Sequence, residues 1–203
     1  MNVEKKYYGQ NQDEVVINKY LNKDPNKELG TYVDIGACDP SFLSNTYYYY
    51  LKGWKGLEVD SYPGVKEKFE KERPRDSFLR AAVTNYDGEA IMYGRAIENS
   101  MVGDRYKKTY NEEFKIECLT MDTIMSRYPE FLEADFMSMD IETNEEKALS
   151  KCDFTIFKPR LICIEFPGEG HDHRKFWEHY LTPFYDFKEV LVNNAFYLRK
   201  EGV

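Results

Sequence analysis

Short apolar runs alternate with amphipathic segments along most of the chain. Five runs are rich in aliphatic, β-branched and aromatic side chains, which is typical of β-strands. They are Thr31–Ile35, Lys55–Asp60, 78–83, 136–141 and 160–166. The last run is almost continuously apolar, as expected for a strand that is buried on both faces. This alternation predicts an α/β fold with a mostly parallel sheet and helices on both of its faces.

The segments between these runs carry helical spacing or helix-start residues. The predicted helices are 11–22, 44–52, 64–71, 122–127, 144–151 and 174–181, the second with Ser44 as its N-cap. Two closing runs, 187–192 and 195–198, flank Asn193-Asn194. So short a link predicts an antiparallel hairpin at the edge of the sheet. We expect a compact domain over 31–203, preceded by an N-terminal helical cover over 1–30.

Two further short strands are predicted outside the main sheet, at 90–93 and 114–118. The polar residues between them, 95–113, have no clear period, and we interpret them as an excursion or lid. Segments of this kind, together with the loop 167–176, vary most among related enzymes and commonly build the pocket for a substrate.

Composition and charge narrow the functional class. The 203 residues are 42% hydrophobic and 16% aromatic, which excludes disorder for the bulk of the chain. With 28 Lys+Arg against 36 Asp+Glu, the net charge is −8, whereas a general nucleic-acid binder needs a basic face. We see neither a secretory signal nor an apolar stretch long enough to cross a bilayer. Four scattered cysteines without a CxxC pair disfavour zinc and suggest a reducing, cytoplasmic environment.

The turn after the first run is a candidate ligand site. Doubly wound sheets bind ligands at the carboxyl ends of their strands, and here the sequence continues from Asp34 through Gly36 to Pro40. A dinucleotide site requires G-x-G-x-x-G, so the single glycine disfavours NAD. A cationic cofactor without phosphate, such as S-adenosylmethionine, would instead favour the carboxylate of Asp34. Asp60, at the end of the second run, could accept hydrogen bonds from both ribose hydroxyls. The alternative is that both acids only cap the turns after their strands.

Several segments resemble the FkbM-type methyltransferases, which use S-adenosylmethionine. The order and spacing of the matching segments extend from Tyr8 to Phe166, and the stretch from Ser44 to Gly56 is the most specific part. The segments are Tyr8-Gly9-Gln10, Val33-Asp34-Ile35-Gly36-Ala37, Ser44-Asn45-Thr46-Tyr47, Gly53-Trp54-Lys55-Gly56 and Met139-Asp140-Ile141-Glu142. This resemblance implies a Rossmann-like class I methyltransferase fold with a seven-stranded sheet.

The resemblance also implies which residues hold the cofactor. They are Asp34, Gly36, Ala37, Asn45, Thr46, Asp60 and Ala82, with the adenine near Ala81-Ala82 and with Tyr8-Gly9-Gln10 folded over the mouth of the site. The sequence departs from the family pattern at two positions. Asp39-Pro40 stands where the family often has Asp-Gly, and Thr143 stands where it usually has glycine.

Methyl transfer requires a group that removes the proton of the acceptor. Candidate bases are Asp140, Glu142 and Glu165, and the first two would point the same way if their segment is extended. Glu142 could instead merely begin the next helix, where the helix dipole favours an acid. His173 in the loop 167–176 is a fourth catalytic candidate, since histidine titrates near neutrality. His171-Asp172-His173 lacks a further ligand at metal-binding spacing, so no metal is expected.

These observations lead to one functional hypothesis and two alternatives. The hypothesis is an S-adenosylmethionine-dependent methyltransferase that acts on a hydroxyl of a small molecule or saccharide, with no nucleic-acid or membrane partner. A nicotinamide-dependent oxidoreductase is disfavoured by the missing glycine motif. A catalytically inactive domain that binds the cofactor or a partner stays open. The oligomeric state is not readable from the sequence.

Overall fold

The computed structural model describes residues 7–21, 24, 26, 28–95, 98–100, 113–166 and 174–203. Its strands are β1 Thr31–Ile35, β2 Lys55–Asp60, β3 Ser77–Arg80, β4 Ala82–Val83, β5 Gly88–Arg95, β6 Glu98–Ser100, β7 Glu113–Leu119, β8 Phe136–Met139, β9 Leu161–Glu165, β10 Tyr185–Leu191 and β11 Asn194–Arg199. Its α-helices are α1 Glu14–Leu21, α2 Tyr47–Leu51, α3 Val65–Glu72, α4 Met121–Arg127, α5 Glu145–Leu149 and α6 Arg174–Leu181, and a 3-10 turn spans Pro129–Phe131.

Seven of the described strands form the main sheet in the order β10-β11-β9-β8-β1-β2-β3. The pairs from β9 to β3 are parallel, and β11 is antiparallel to both of its neighbours. The predicted mostly parallel sheet with a closing hairpin is therefore confirmed, and the hairpin returns inward so that β10 is the edge strand. Strand order reverses between β1 and β8, which is where doubly wound sheets open a crevice for ligands.

The third predicted strand, 78–83, was wrong as a single element. The N–H of Ala81 donates to the carbonyl of Asp60, 3.0 Å away, next to the last paired residue of β3. The chain then leaves the main sheet, and Ala82 and Val83 pair with β7. A second sheet, β4-β7-β5-β6, forms from these residues, from the two extra strands that were predicted, and from β6, which was not predicted and lies within the segment interpreted as a lid. Of the predicted lid, 96–97 and 101–112 lie outside the described residues.

The two faces of the main sheet are covered by different helices. Because side chains alternate along a strand, Val33 and Ile35 of β1 face the cluster that contains α4, α5 and α6, while Tyr32 faces α1 and α2. In the second cluster the ring of Tyr49 lies 5.1 Å from that of Trp54. Four methionines of the first cluster are all buried, namely Met121, Met125, Met137 and Met139.

The N-terminal helix α1 covers one face of the sheet. Val16, Ile17 and Leu21 pack into the same cluster as α2. Asp13, just before the helix, accepts a hydrogen bond of 2.8 Å from Asn194 of β11. The division into a helical cover over 1–30 and a methyltransferase-like unit over 31–203 of one compact domain stays a prediction.

The cysteines and the apolar character of the helices can be compared with the inferences from composition. No disulfide joins the four cysteines, which all lie within the described ranges, and Cys118 and Cys163 are buried. In the described part of the chain, no helix has the length and apolar character needed to traverse a lipid bilayer.

Candidate functional site

A cavity of about 330 Å³ opens at the carboxyl ends of β1, β2 and β8. Its walls come from the turn after β1, the loop before α2, the end of β2, the β3–β4 junction and the segment after β8. The sheet order therefore brings together chain segments that are more than a hundred residues apart. Of the residues predicted to hold a cofactor, the cavity is lined by Asp34, Gly36, Ala37, Asn45, Asp60 and Ala82.

The conformation of the turn after β1 is fixed by its main chain. Gly36 has φ of +89°, a conformation that L residues with a side chain rarely adopt. The N–H groups of Gly36 and Ala37 both donate to the carbonyl of Val59, at 2.8 and 3.1 Å. A Cβ added to Gly36 would overlap the carbonyl oxygen of Asp140. Only glycine fits here, and it allows the backbones after β1 and β8 to meet at the cavity floor.

Asp60 closes the second turn with both of its carboxylate oxygens. Oδ2 accepts from the N–H of Cys38 at 2.9 Å, and Oδ1 accepts from the N–H of Tyr62 at 2.7 Å. Burial raises the pKa of Asp60, and these backbone donors oppose that rise. Turn capping therefore accounts for these two backbone contacts of Asp60. Each carboxylate oxygen has a second lone pair that can still accept a hydrogen bond. Binding of the ribose hydroxyls by Asp60 stays a prediction.

Asp34 has a different set of contacts. It is 6% exposed, and its Oδ2 accepts from the hydroxyl of Thr46 at 3.0 Å. Burial raises the pKa of Asp34 to about 6, against the lowering effects of Arg73 and Thr46. Thr46 itself is fully buried and does not line the cavity. Its side chain lies behind Asp34, so the predicted wall position of Thr46 becomes a supporting position.

Asn45 offers an unused acceptor beside Asp34. Its Nδ2 donates to Ser138 at 3.1 Å, and its Oδ1 is buried with no hydrogen-bond partner. An unpaired buried acceptor is costly unless a ligand satisfies it. A carboxylate and an amide oxygen at one end of the cavity fit the ammonium group of a methionine-like ligand.

The opposite end of the cavity is apolar. Ala81, Ala82 and Val83 line it, together with Met92 of β5. Asn144 fixes this wall, because its Nδ2 donates to the carbonyl of Val83 at 2.7 Å. A planar purine suits such a surface, as the resemblance implies for Ala81-Ala82.

The acidic segment after β8 differs from its prediction. Glu142 and Thr143 have φ of +54° and +73°, so the chain turns here and the extended arrangement expected for Asp140 and Glu142 is wrong. Both acids nevertheless line the cavity, together with Glu165 at the end of β9. Burial and a hydrogen bond with Asp140 raise the pKa of Glu165 to about 9.

Glu145 explains why this turn is tight. Its Oε1 accepts from the N–H of Ile141 at 3.1 Å, and the side chain is buried at the start of α5. Burial raises the pKa of Glu145 to about 7. The carboxyl group of Glu145 therefore closes the turn from inside.

Sequence reasoning missed several residues of the cavity. Ser138, Met92 and Asn144 line it, and no motif indicated them. Gln10 lines it as well, and Gly9 forms a bridge with Leu43, so the N-terminal segment lies at the mouth as the resemblance implies. His173 and His171 lie outside the described residues. Within the described ranges no group of three metal-ligating side chains could hold a metal ion.

Comparison with known proteins gives one family match. The family model for the methyltransferase FkbM domain matches residues 34–192, which is most of the chain. A search of curated proteins by sequence gave no match.

Three solved structures illustrate the structural similarity. A TehB-like SAM-dependent methyltransferase from Corynebacterium glutamicum is 13% identical with a TM-score of 0.49, over 96% of this chain and 89% of that one. Fibrillarin from Aeropyrum pernix, with natively bound S-adenosyl-L-methionine, is 11% identical with a TM-score of 0.42, over 92% and 74%. An O-methyltransferase family protein from Burkholderia thailandensis is 8% identical with a TM-score of 0.44, over 94% and 57%.

Proposed function

The chain belongs to the FkbM methyltransferase family, whose cofactor is S-adenosylmethionine, and from this premise we propose that it methylates a hydroxyl group of an uncharged small molecule or saccharide. The observation that carries the proposal is the charge of the cavity. Five acidic side chains line it, and among its described lining residues there is no Lys, Arg or His. The acidic residues are Asp34, Asp60, Asp140, Glu142 and Glu165. Such a site favours a cation without phosphate and opposes a dinucleotide.

The residues divide into two groups along the cavity. Asp34 and the free Oδ1 of Asn45 would receive the ammonium of the cofactor, while Gly36 and Ala37 let the backbone approach its methionine part. Asp60 would accept from the ribose hydroxyls, and Ala82 would contact the adenine. When bound, S-adenosylmethionine would supply a methyl group that its sulfonium sulfur makes electrophilic.

Asp140 is the best placed base for the acceptor hydroxyl. Its side chain is exposed at the cavity, and it lies next to the turn formed by Gly36. Glu165 holds its proton at neutral pH, so it acts as a hydrogen-bond donor to Asp140 and does not compete for the acceptor proton. Asp140 would take the hydroxyl proton as the acceptor oxygen displaces the methyl carbon from the sulfonium sulfur, which would keep the electron pair of the broken bond and leave as the neutral thioether of S-adenosylhomocysteine. Glu142 would orient the acceptor, and a role for His173 stays a prediction.

The same charges restrict the acceptor. An anionic acceptor would bring its charge beside Asp140 and Glu142 inside a partly enclosed site, where like charges repel strongly. Neutral sugars and other polyols match better, because carboxylates accept hydrogen bonds from vicinal hydroxyls. A nucleic acid and an anionic membrane surface are disfavoured for the same reason, and a cytoplasmic location stays our proposal.

Binding is the first test. Calorimetry should detect S-adenosylmethionine and S-adenosylhomocysteine and should give no heat with NAD. Absence of binding by both adenosyl ligands would refute the proposed function. Binding without turnover on any acceptor would favour the inactive cofactor-binding domain.

Turnover is the second test. Transfer of labelled methyl groups should be found with a panel of neutral saccharides and polyols and not with their phosphorylated counterparts. With an acceptor identified, Asp140→Asn should lower kcat by about 10²–10⁴ while leaving cofactor affinity within a few-fold. Glu146→Gln, on the exposed side of α5, is the matched control and should retain full turnover. A phosphorylated acceptor that is preferred over its neutral form contradicts the proposed acceptor class.

A further inference from the structure

Arg73 is buried completely at the end of α3, within a polar network beneath the cavity. Its guanidinium forms ion pairs with Glu58 and with Asp76, the latter at 2.7 Å from Nε. Nη2 also donates to the hydroxyl of Tyr32 at 2.8 Å. The rings of Tyr32, Tyr50 and Phe69 surround the guanidinium at 5.1–5.5 Å from their centroids. A buried charge with this many partners is fixed in position.

One nitrogen of Arg73 points away from these acids and toward the cavity. Nη1 donates to the hydroxyl of Thr46 at 3.0 Å, with the carbonyl of Pro40 and the hydroxyl of Ser44 at 3.2 and 3.3 Å. The hydroxyl of Thr46 then donates to Oδ2 of Asp34 at 3.0 Å. Asp34 itself lines the cavity.

The direction of this chain of hydrogen bonds is determined by chemistry. A guanidinium has donors only, so the hydroxyl of Thr46 must accept from Arg73. The single hydroxyl hydrogen is then available for Asp34 at 3.0 Å, for the hydroxyl of Ser44 at 3.1 Å or for Glu58 at 3.3 Å. Glu58 already accepts from Arg73 through the same oxygen, and the hydroxyl oxygen of Ser44 already accepts from Arg73 and from the N–H of Tyr47, which favours donation to Asp34.

We propose that Arg73 is a positioning residue for cofactor binding, which acts through Thr46 to hold the carboxylate of Asp34 ionised and aimed at the ammonium of the cofactor. This inference rests on the proposed function. It assigns a role to two residues that have no contact with the cavity themselves, Arg73 and Thr46. Without this support, a buried carboxylate beside other acids would be held in its neutral form.

The charged groups around Asp34 explain why support is needed. Asp60 and Asp140 face it from the ends of β2 and β8 and raise its pKa, as burial does. Glu58 lies beside it on β2, and the thiol of Cys163 faces it from β9. Arg73 is the opposing positive charge within the described surroundings, and Thr46 supplies the hydrogen bond that lowers the pKa of Asp34.

Thr46→Val tests the inference without removing the buried charge. Valine keeps the shape of threonine, and Arg73 keeps Glu58 and Asp76. Affinity for S-adenosylhomocysteine is measured by calorimetry between pH 5 and 9. In the wild type, affinity should be full near pH 8 and should decrease as the pH falls through about 6, because Asp34 becomes protonated. In Thr46→Val, affinity near pH 7 should be at least tenfold lower, and the midpoint should move to higher pH.

Two controls separate positioning from general stability. Thr46→Ser keeps the hydroxyl and should restore the midpoint of the wild type. Ile124→Val removes a methyl group from α4 in the core cluster on the other face of the sheet. It should lower stability by an amount like that of Thr46→Val without moving the midpoint.

A double-mutant cycle tests the part played by Arg73. Arg73→Lys should weaken binding in the wild type, and its effect should disappear in the Thr46→Val background if Arg73 acts through Thr46. If Arg73→Lys does not fold, the pH profiles of the two Thr46 variants decide alone. Equal midpoints for Thr46→Val and the wild type overturn the inference, whereas a wild type that binds no adenosyl ligand refutes the proposed function instead.

Discussion

The main chain of Gly36 lies against the carbonyl group of Asp140, with no room between them for a side chain. A Cβ on Gly36 would also lie 2.8 Å from the carbonyl carbon of Asp140. This contact joins the ends of β1 and β8, the two strands between which the order of the sheet reverses. The cavity floor and the position of the candidate base therefore depend on one glycine.

Gly36→Ala should destabilise the protein and abolish cofactor binding. The φ of +89° alone costs an alanine about 1–2 kcal/mol, and separation of the two strand ends adds about 2 kcal/mol or more. Gly64→Ala is a matched control, because Gly64 has φ of +87° and has no neighbouring atom within 4 Å of an added Cβ. Urea unfolding of both variants isolates the steric part. Equal losses of stability would contradict the close contact.

Asp60→Ala should weaken binding of adenosine by about 1–3 kcal/mol, because buried ribose hydroxyls would lose their acceptor. The turn it caps would also be weakened, since Cys38 and Tyr62 lose an acceptor. Comparison of adenosine with 2′-deoxyadenosine separates the two effects. The wild type should discriminate between the ligands, and Asp60→Ala should not. If the variant keeps the discrimination, Asp60 has only its structural role in the turn.

The elements of the main sheet could be predicted because their signals are local. Strands β1 and β2 have the predicted bounds, since each is a short apolar run that ends at a turn residue. The division at Ala81 could not be predicted, because continuous apolar residues give no sign that the second half pairs with a strand more than thirty residues later. The helix predicted from Ser44 begins at Tyr47, where the hydroxyl of Ser44 accepts from the first helical N–H.

The candidate site follows the same division. Asp34, Gly36 and Asp60 could be assigned because they follow strand ends whose positions the sheet type dictates. Asn144 and Met92 reach the cavity through tertiary packing, for which no short motif exists. The role of Arg73 was also hidden, because a charged helix end is normally solvated and this one is enclosed by three aromatic rings.

Thr143→Gly should stabilise the protein by about 0.5–1 kcal/mol. Thr143 is exposed and has φ of +73°, an unfavourable conformation for a β-branched residue. Glycine, which the family usually has at this position, relieves that strain. It also increases the conformational entropy of the unfolded chain, which offsets part of the gain in stability. Thr143→Ala is the control and should gain less, because alanine keeps the Cβ. Urea unfolding measures both, and a loss of stability in Thr143→Gly would show that the side chain contributes more than its backbone strain costs.

Glu165→Gln should change how stability depends on pH. In the folded protein the pKa of Glu165 is raised to about 9, mainly by burial and by its hydrogen bond with Asp140, against 4.5 for an unperturbed glutamate. Between these values the folded state holds a proton that the unfolded state releases. Glu165 therefore contributes a decrease in the free energy of unfolding as the pH rises from about 4.5 to 9. This contribution is absent in Glu165→Gln, whose amide does not titrate.

The measurement is urea unfolding at pH 5, 7 and 9. The free energy of unfolding of Glu165→Gln, relative to that of the wild type, should increase from pH 5 to 7 and again from pH 7 to 9. The reason is that glutamine resembles the protonated acid at every pH and still accepts a hydrogen bond from Asn193. Glu145 and Asp34, whose pKa values are raised to about 7 and 6, keep their own shares in both proteins. Glu133→Gln replaces an exposed acid and should follow the wild type in parallel. If the pH dependence of Glu165→Gln is parallel to that of the wild type as well, Glu165 is already ionised in the neutral range. Glu165 would then be available as a base, and the role of base assigned to Asp140 would pass to Glu165.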